Sequence, residues 1–192
     1  RKRIHYIGTD VVVVNFESYD VLGKFYTKYS DTKNTYEMYS IPSEEIHKNE
    51  NFMKHANDID LVFTSPPYFD KELYSLDKNQ SSIRYRTYDA WKEKFLIPTL
   101  QTSYDVLKVE NYCVINIADV RSKKETIPLE QDTIRICEKI GFVYEGKIGM
   151  CMTRAIGYDP TSTSNSWVDV KTQTAYKIEP ILIFKKPLRY PC

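Results

Sequence analysis

Strands alternating with helices, then two strands with no helix between them, predict an α/β fold: a mostly parallel sheet that closes in an antiparallel pair. Two further observations bound that reading. The chain has 192 residues, 42% hydrophobic and 14% aromatic, which is enough for one domain over residues 1–192 with a single sizeable core. No apolar run approaches the roughly 18 residues of a membrane span, and no signal-peptide pattern opens the chain, so a soluble protein is expected.

The elements follow from hydrophobic periodicity. Residues 4–14 (IHYIGTDVVVV) read as a buried strand passing through a turn at Gly8-Thr9-Asp10. Residues 17–29 place Tyr19, Leu22, Phe25, Tyr26 and Tyr29 on one helical face. A short strand over 36–40 is broken by Pro42. Residues 60–64 (DLVFT) form a continuous apolar run stopped by Pro66-Pro67, the pattern of a central parallel strand. Residues 68–86 are polar and tyrosine-rich without periodicity, a long loop of the kind that is functional or disordered.

A helix over 88–108 turns Trp91, Phe95, Leu100, Tyr104 and Leu107 inward, and Pro98 should kink or divide it. Residues 112–120 (YCVINIADV) are another buried strand. A helix over 128–140 starts at Pro128, carries Leu129, Ile136, Cys137 and Ile140 on one face, and stops at Gly141. Strands over 142–152 and 178–185 close the chain around a Ser/Thr-rich loop that contains Trp167. Ligands of such sheets bind beyond the carboxyl ends of the strands.

Composition excludes collagen-like, disordered and disulfide-scaffold classes. Glycine is scarce: six residues, against roughly thirteen at the average usage of about 7%. None are spaced GxGxxG, which counts against a nucleotide-type cofactor. The 27 basic and 26 acidic residues leave a net charge of +1, not the basic excess of many nucleic-acid-binding domains. Basic clusters at Arg1-Lys2-Arg3, Arg84 with Arg86, residues 121–124 and Lys185-Lys186 near Arg189 read as solvated surface charge. The four cysteines form no CxxC pair, so no metal site and a reducing, cytosolic setting are expected.

The sharpest feature is Thr64-Ser65-Pro66-Pro67-Tyr68-Phe69-Asp70 at the end of the apolar strand. Ser65 and Pro66 each precede a proline and are pushed to extended geometry. Neither proline has an N–H to donate. A stiff loop results, offering a hydroxyl and carbonyls beside two aromatic rings. That suits a planar base bearing an amino group, with acceptors on the amine hydrogens and Tyr68 on the ring face. The exocyclic amine of cytosine or adenine is a poor nucleophile because its lone pair is delocalised. Acceptors that hold both hydrogens favour a tetrahedral nitrogen and aim the lone pair at an electrophilic methyl. A plain strand-terminating turn is the competing reading of these residues.

The run Asp60-Leu-Val-Phe-Thr-Ser-Pro-Pro-Tyr68 resembles motif IV of the S-adenosylmethionine-dependent amino methyltransferases of DNA, the N4-cytosine and N6-adenine group with the (D/N/S)PP(Y/F/W) signature. The resemblance extends through Tyr88-Asp89-Ala90-Trp91, residues 106–119 and the closing pair of strands that ends Glu179-Pro-Ile-Leu-Ile-Phe-Lys185. Upstream, Tyr6-Ile-Gly-Thr-Asp10 is similar to the family's second strand. The resemblance implies a Rossmann-like methyltransferase fold and methyl transfer to a flipped base of double-stranded DNA in bacterial or phage restriction–modification, in the cytoplasm. It implies catalytic roles for Ser65, Pro66, Pro67 and Tyr68, and cofactor contacts at Asp10 and Ser43. Substrate contacts fall on Phe69, Arg84, Arg86 and Asn116. Asp10 also reads as a turn-forming residue, and Asn116 and Asp119 as strand-end caps. The residues 68–86 and 154–177 are the expected DNA-facing loops.

The family's glycine-rich first motif has no counterpart upstream of Tyr6, so the chain reads either as a fragment whose N-terminal segment is absent or as a degenerate paralogue, with a second subunit or that missing segment as the expected partner. RNA or protein-amide methylation by the same fold is the first alternative, since those amines pose the same problem. A catalytically silent subunit that binds nucleic acid or a partner methyltransferase is the second.

Overall fold

A computed structural model describes residues 3–12, 15–29, 33–69, 78–122, 125–152, 166–168, 171 and 175–188. The chain divides into two compact units, Arg1–Lys54 with Glu72–Thr102, and His55–Lys71 with Ser103–Cys192.

In the first unit, β1 (His5–Thr9) pairs in parallel with β2 (Thr35–Tyr39), and α1 (Asn15–Tyr29) connects them. The expected strand over 4–14 is shorter than its apolar run, because the Asp10 carboxylate accepts from the Val12 N–H and turns the chain toward α1. A 3₁₀ turn, Ile46–Lys48, leads into α2 (Glu50–Met53). After α3 (Ser81–Arg84) comes one long helical stretch: α4 (Tyr88–Trp91), a π-helical turn at Lys92–Leu96, and α5 (Ile97–Val106). Thr87 caps α4 by accepting from the Ala90 N–H. Pro98 does not divide this helix. The wider turn before it, where Ile97 N–H reaches the Lys92 carbonyl, accommodates the missing donor at Pro98. Trp91, Phe95, Leu100 and Tyr104 are buried, as their helical spacing predicts, and Leu96, which that reading did not include, is buried as well.

The second unit is built on a sheet in the order β3-β4-β9-β7, with β8 (Ser166–Val168) on β9. β3 (Ile59–Thr64) runs parallel to β4 (Leu107–Asn116), and β9 (Ala175–Lys185) lies antiparallel between β4 and β7 (Val143–Cys151). The sheet is therefore mixed: β3 and β4 are its parallel part, and the expected closing antiparallel pair is present as β7 with β9. A small hairpin, β5 (Val120–Ser122) with β6 (Glu125–Ile127), was not visible in the periodicity. β4 starts five residues before the expected Tyr112, across a bulge that holds Glu110 at φ +64°. α6 (Leu129–Ile140) ends at Gly141, whose φ of +120° suits glycine alone.

Side-chain parity decides which sheet face is buried. Cys113, Ile115, Leu182 and Phe184 are fully buried on one face, where Tyr104, Phe142, Phe184 and Tyr144 form a run of ring contacts. Leu61, Phe63, Tyr112 and Ile148 are exposed, Leu61 and Phe63 by 57% and 63%. The expectation that β3 is a central strand is corrected: among the described residues it pairs with β4 alone and stands at the sheet edge. A continuous apolar run reports burial potential, not the number of neighbours.

Lys186 is also not the surface charge its sequence neighbourhood suggested. It is 6% exposed, and its ammonium donates to Asn57 Oδ1, Tyr104 O and Leu107 O, each at 2.7 Å. No described helix is long and apolar enough to cross a membrane.

Candidate functional site

The Ser65-to-Phe69 loop leaves the carboxyl end of β3. Ser65 is exposed, Pro66 is buried, and Pro67 and Tyr68 are half-buried. Pro67 O accepts from Phe69 N–H at 2.9 Å, so the chain turns tightly about Tyr68. Phe69 takes a φ of +54° and is only 8% exposed. A bulky residue rarely holds that conformation unless its surroundings impose it. Burial of the Phe69 ring supplies that constraint. Phe69 therefore anchors the loop, and Tyr68 is the aromatic side chain of this loop that is left half-buried.

The Tyr68 hydroxyl donates to Asn116 Oδ1 at 3.2 Å, and Asn116, the last residue of β4, is 9% exposed. Among the described residues, neither the Ser65 hydroxyl nor the Pro66 carbonyl has a hydrogen-bond partner. The loop thus combines two unused acceptors, a fixed aromatic ring and a rigid backbone. That arrangement can hold a planar amine. Asp119, the other strand-end candidate, accepts from the Glu130 N–H at 2.9 Å and caps the start of α6.

The remaining candidates belong to the first unit. Asp10 follows β1, and its carboxylate accepts from Val12 N–H at 2.8 Å, Asn15 Nδ2 at 3.0 Å and the Tyr19 hydroxyl. Burial alone would raise the Asp10 pKa. The hydrogen bonds from Tyr19, Asn15 and the backbone outweigh it and hold the group below its ordinary value, ionised. Tyr19 in turn is pushed up to about 12 by that hydrogen bond. A strand-end carboxylate matches the chemistry of a ribose diol. Its acceptor sites are largely filled, however, so a diol has to exchange with Tyr19 and Asn15. The Ser43 hydroxyl lies 3.2 Å from Thr99 Oγ1.

Arg84 was expected to face DNA. Its guanidinium instead donates to Glu44 Oε1 at 2.9 Å and to Glu45, and it lies 5.3 Å from the Tyr85 ring centre. Glu44 is buried, its side chain 3% exposed, and also accepts from the Tyr85 hydroxyl at 3.3 Å. Burial raises the Glu44 pKa, against the opposing pull of Arg84 and Tyr85. Sequence reasoning missed this cluster, because adjacent glutamates in a polar stretch carry no burial signal. Arg86 is exposed. Asp70 and residues 154–165 of the second expected loop lie outside the described residues, and Trp167 lies in β8.

A mixed sheet with a proline-stiffened, amine-suited loop at a strand end is the architecture of an S-adenosylmethionine-dependent methyltransferase. The chain belongs to the N6/N4 DNA methylase family, whose model matches residues 59–191. Among solved structures it is similar to TTHA0409 of Thermus thermophilus complexed with S-adenosyl-L-methionine, a protein classed with the DNA modification methylases. That match has a TM-score of 0.52 at 16% identity and covers 98% of this chain and 58% of the other. The chain thus spans little more than half the length of that protein. Similarity extends to a SAM-dependent methyltransferase of Methanosarcina mazei, with a TM-score of 0.56, 8% identity and coverage of 98% and 95%. YcgJ of Bacillus subtilis gives 0.51, 8%, 98% and 94%. At such identities these likenesses define the fold alone. No curated protein matches the sequence.

Proposed function

We propose that the protein transfers a methyl group from S-adenosylmethionine to the exocyclic amine of a DNA base, cytosine N4 or adenine N6. The observation that carries this is the loop after β3, where Ser65 Oγ and Pro66 O have no hydrogen-bond partner among the described residues and lie beside the Tyr68 ring held by Asn116. S-adenosylmethionine would supply an electrophilic methyl group. Ser65 and the Pro66 carbonyl accept the two amine hydrogens and expose the nitrogen lone pair. Tyr68 stacks on the base after it leaves the duplex, and Pro67 keeps the loop stiff. In the first unit, Asp10 is the residue whose chemistry suits the cofactor ribose, with Ser43 as a further cofactor contact. Exposed Arg86 suits a DNA phosphate, whereas Arg84 is committed to Glu44 and Glu45. The setting that fits is a bacterial or phage modification system.

The test is methyl transfer by the intact protein to unmethylated genomic DNA, followed by nucleoside mass analysis. N4-methylcytosine or N6-methyladenine is expected, and the absence of both overturns the proposal. Tyr68→Ala removes base stacking worth about 1–3 kcal/mol and should slow transfer by roughly tenfold to a hundredfold. An unchanged rate would remove Tyr68 from the base-binding role, whereas no transfer to DNA by the unaltered protein would move the target to an RNA or protein amide, or leave a silent subunit.

A further inference from the structure

Tyr68 lies on a loop, but the group that receives its hydroxyl does not. Asn116 ends β4, which is held on one side by β3, with Thr64 opposite Ile115, and on the other by β9, with Ile181 opposite Asn116 itself. We propose that Asn116 is a positioning residue: its amide oxygen holds the Tyr68 ring in the orientation that stacks on the target base. It therefore acts on methyl transfer through Tyr68 and not by touching the substrate. This rests on the proposed base-binding role of the loop.

The backbone on both sides of Tyr68 is already constrained. Pro66 and Pro67 stiffen the approach, and the Pro67-to-Phe69 hydrogen bond with the buried Phe69 ring fixes the exit. The ring itself turns about two side-chain torsions. The hydroxyl is the point of the side chain farthest from Cα, so a tether there controls the ring with the longest lever. The 3.2 Å hydrogen bond to Asn116 is that tether. Its anchor cannot drift, because Asn116 is 9% exposed and sits in a strand paired on both edges. Asn116 was expected to contact substrate directly; with its oxygen committed to Tyr68, its effect is indirect. A loop ring held by a sheet residue also explains how a half-buried tyrosine can be preorganised before any base arrives.

The test uses single-turnover methyl transfer from labelled S-adenosylmethionine to unmethylated genomic DNA by the intact protein. Asn116→Leu and Tyr68→Phe should each slow transfer by about tenfold, the cost of one lost hydrogen bond and a misplaced ring, with cofactor affinity unchanged. The double variant should be no slower than either single one, because both remove the same contact. Asn116→Asp, which keeps an acceptor oxygen at that place, should recover most of the rate. Multiplicative losses in the double variant, or an Asp variant as slow as the Leu variant, overturn the proposal. Tyr68→Phe removes a single oxygen and keeps the test open should Asn116→Leu fail to fold. If Tyr68→Ala is slow while Asn116→Leu and Tyr68→Phe are not, positioning fails and base stacking stands. If Tyr68→Ala itself transfers at the unaltered rate, the base-binding role fails first.

Discussion

Replacing Lys186 by methionine tests whether the buried ammonium, and not the apolar stem, holds the end of β9 to the segment that enters β4. The stem volume is nearly conserved, so packing changes little. Three hydrogen bonds of 2.7 Å disappear, leaving the carbonyls of Tyr104 and Leu107 without that donor. A buried acceptor left unsatisfied costs about 1–3 kcal/mol, and relief from burying an ammonium offsets part of that for the pair. The net loss is about 2–4 kcal/mol, or a fall of about 5–15 °C in Tm for a chain of this size. Lys185 supplies the control one residue away. Its ammonium pairs with Glu110 at 2.6 Å, with side chains 27% and 55% exposed, and solvent screens such a surface pair, so its contribution is small. Urea unfolding of Lys186→Met and Lys185→Met, compared at equal m-value, reads the difference. Equal shifts in the two variants would refute the reasoning, because burial would then have no bearing on the strength of the two contacts.

Two further outcomes follow from the candidate site. Asp10 is held below its ordinary 3.8, so its ionised form stabilises the fold above that pH and the contribution fades as pH falls through the lower folded value. Asp10→Asn should flatten this acid limb in urea titrations between about pH 2 and 5. If Asp10 also binds the ribose, calorimetry should give about tenfold or greater loss of S-adenosylmethionine affinity, whereas a turn-former alone leaves affinity intact. Arg84→Ala should destabilise the fold by stranding the buried Glu44, with no change in the salt dependence of DNA binding. Arg86→Ala should leave stability alone and reduce the salt slope by about one phosphate contact. Interchanged phenotypes would return Arg84 to the DNA interface.

Much of the second unit was legible in the sequence, because its signals are local. The DLVF run, the two prolines after it and the helix between Pro128 and Gly141 act through backbone torsions and periodicities that need no tertiary partner. The position and stiffness of the Ser65-to-Tyr68 loop were determined at that level. Pairing was not. The apolar run of β3 suits a central strand and an edge strand equally, and parity alone cannot say that Leu61 and Phe63 lie on an exposed face.

Tertiary structure also decided the roles of individual polar and aromatic residues. Asp10 and Asp119 acquired local donors, Arg84 found two glutamates, Lys186 went inside, and Phe69 turned from platform to anchor. Asn116 and Tyr68, 48 positions apart in the chain, were joined by a single hydrogen bond. A residue's chemical type states what it is able to bond. Which bond it makes depends on which group the fold brings within about 3 Å, and that distance is not written in neighbouring residues.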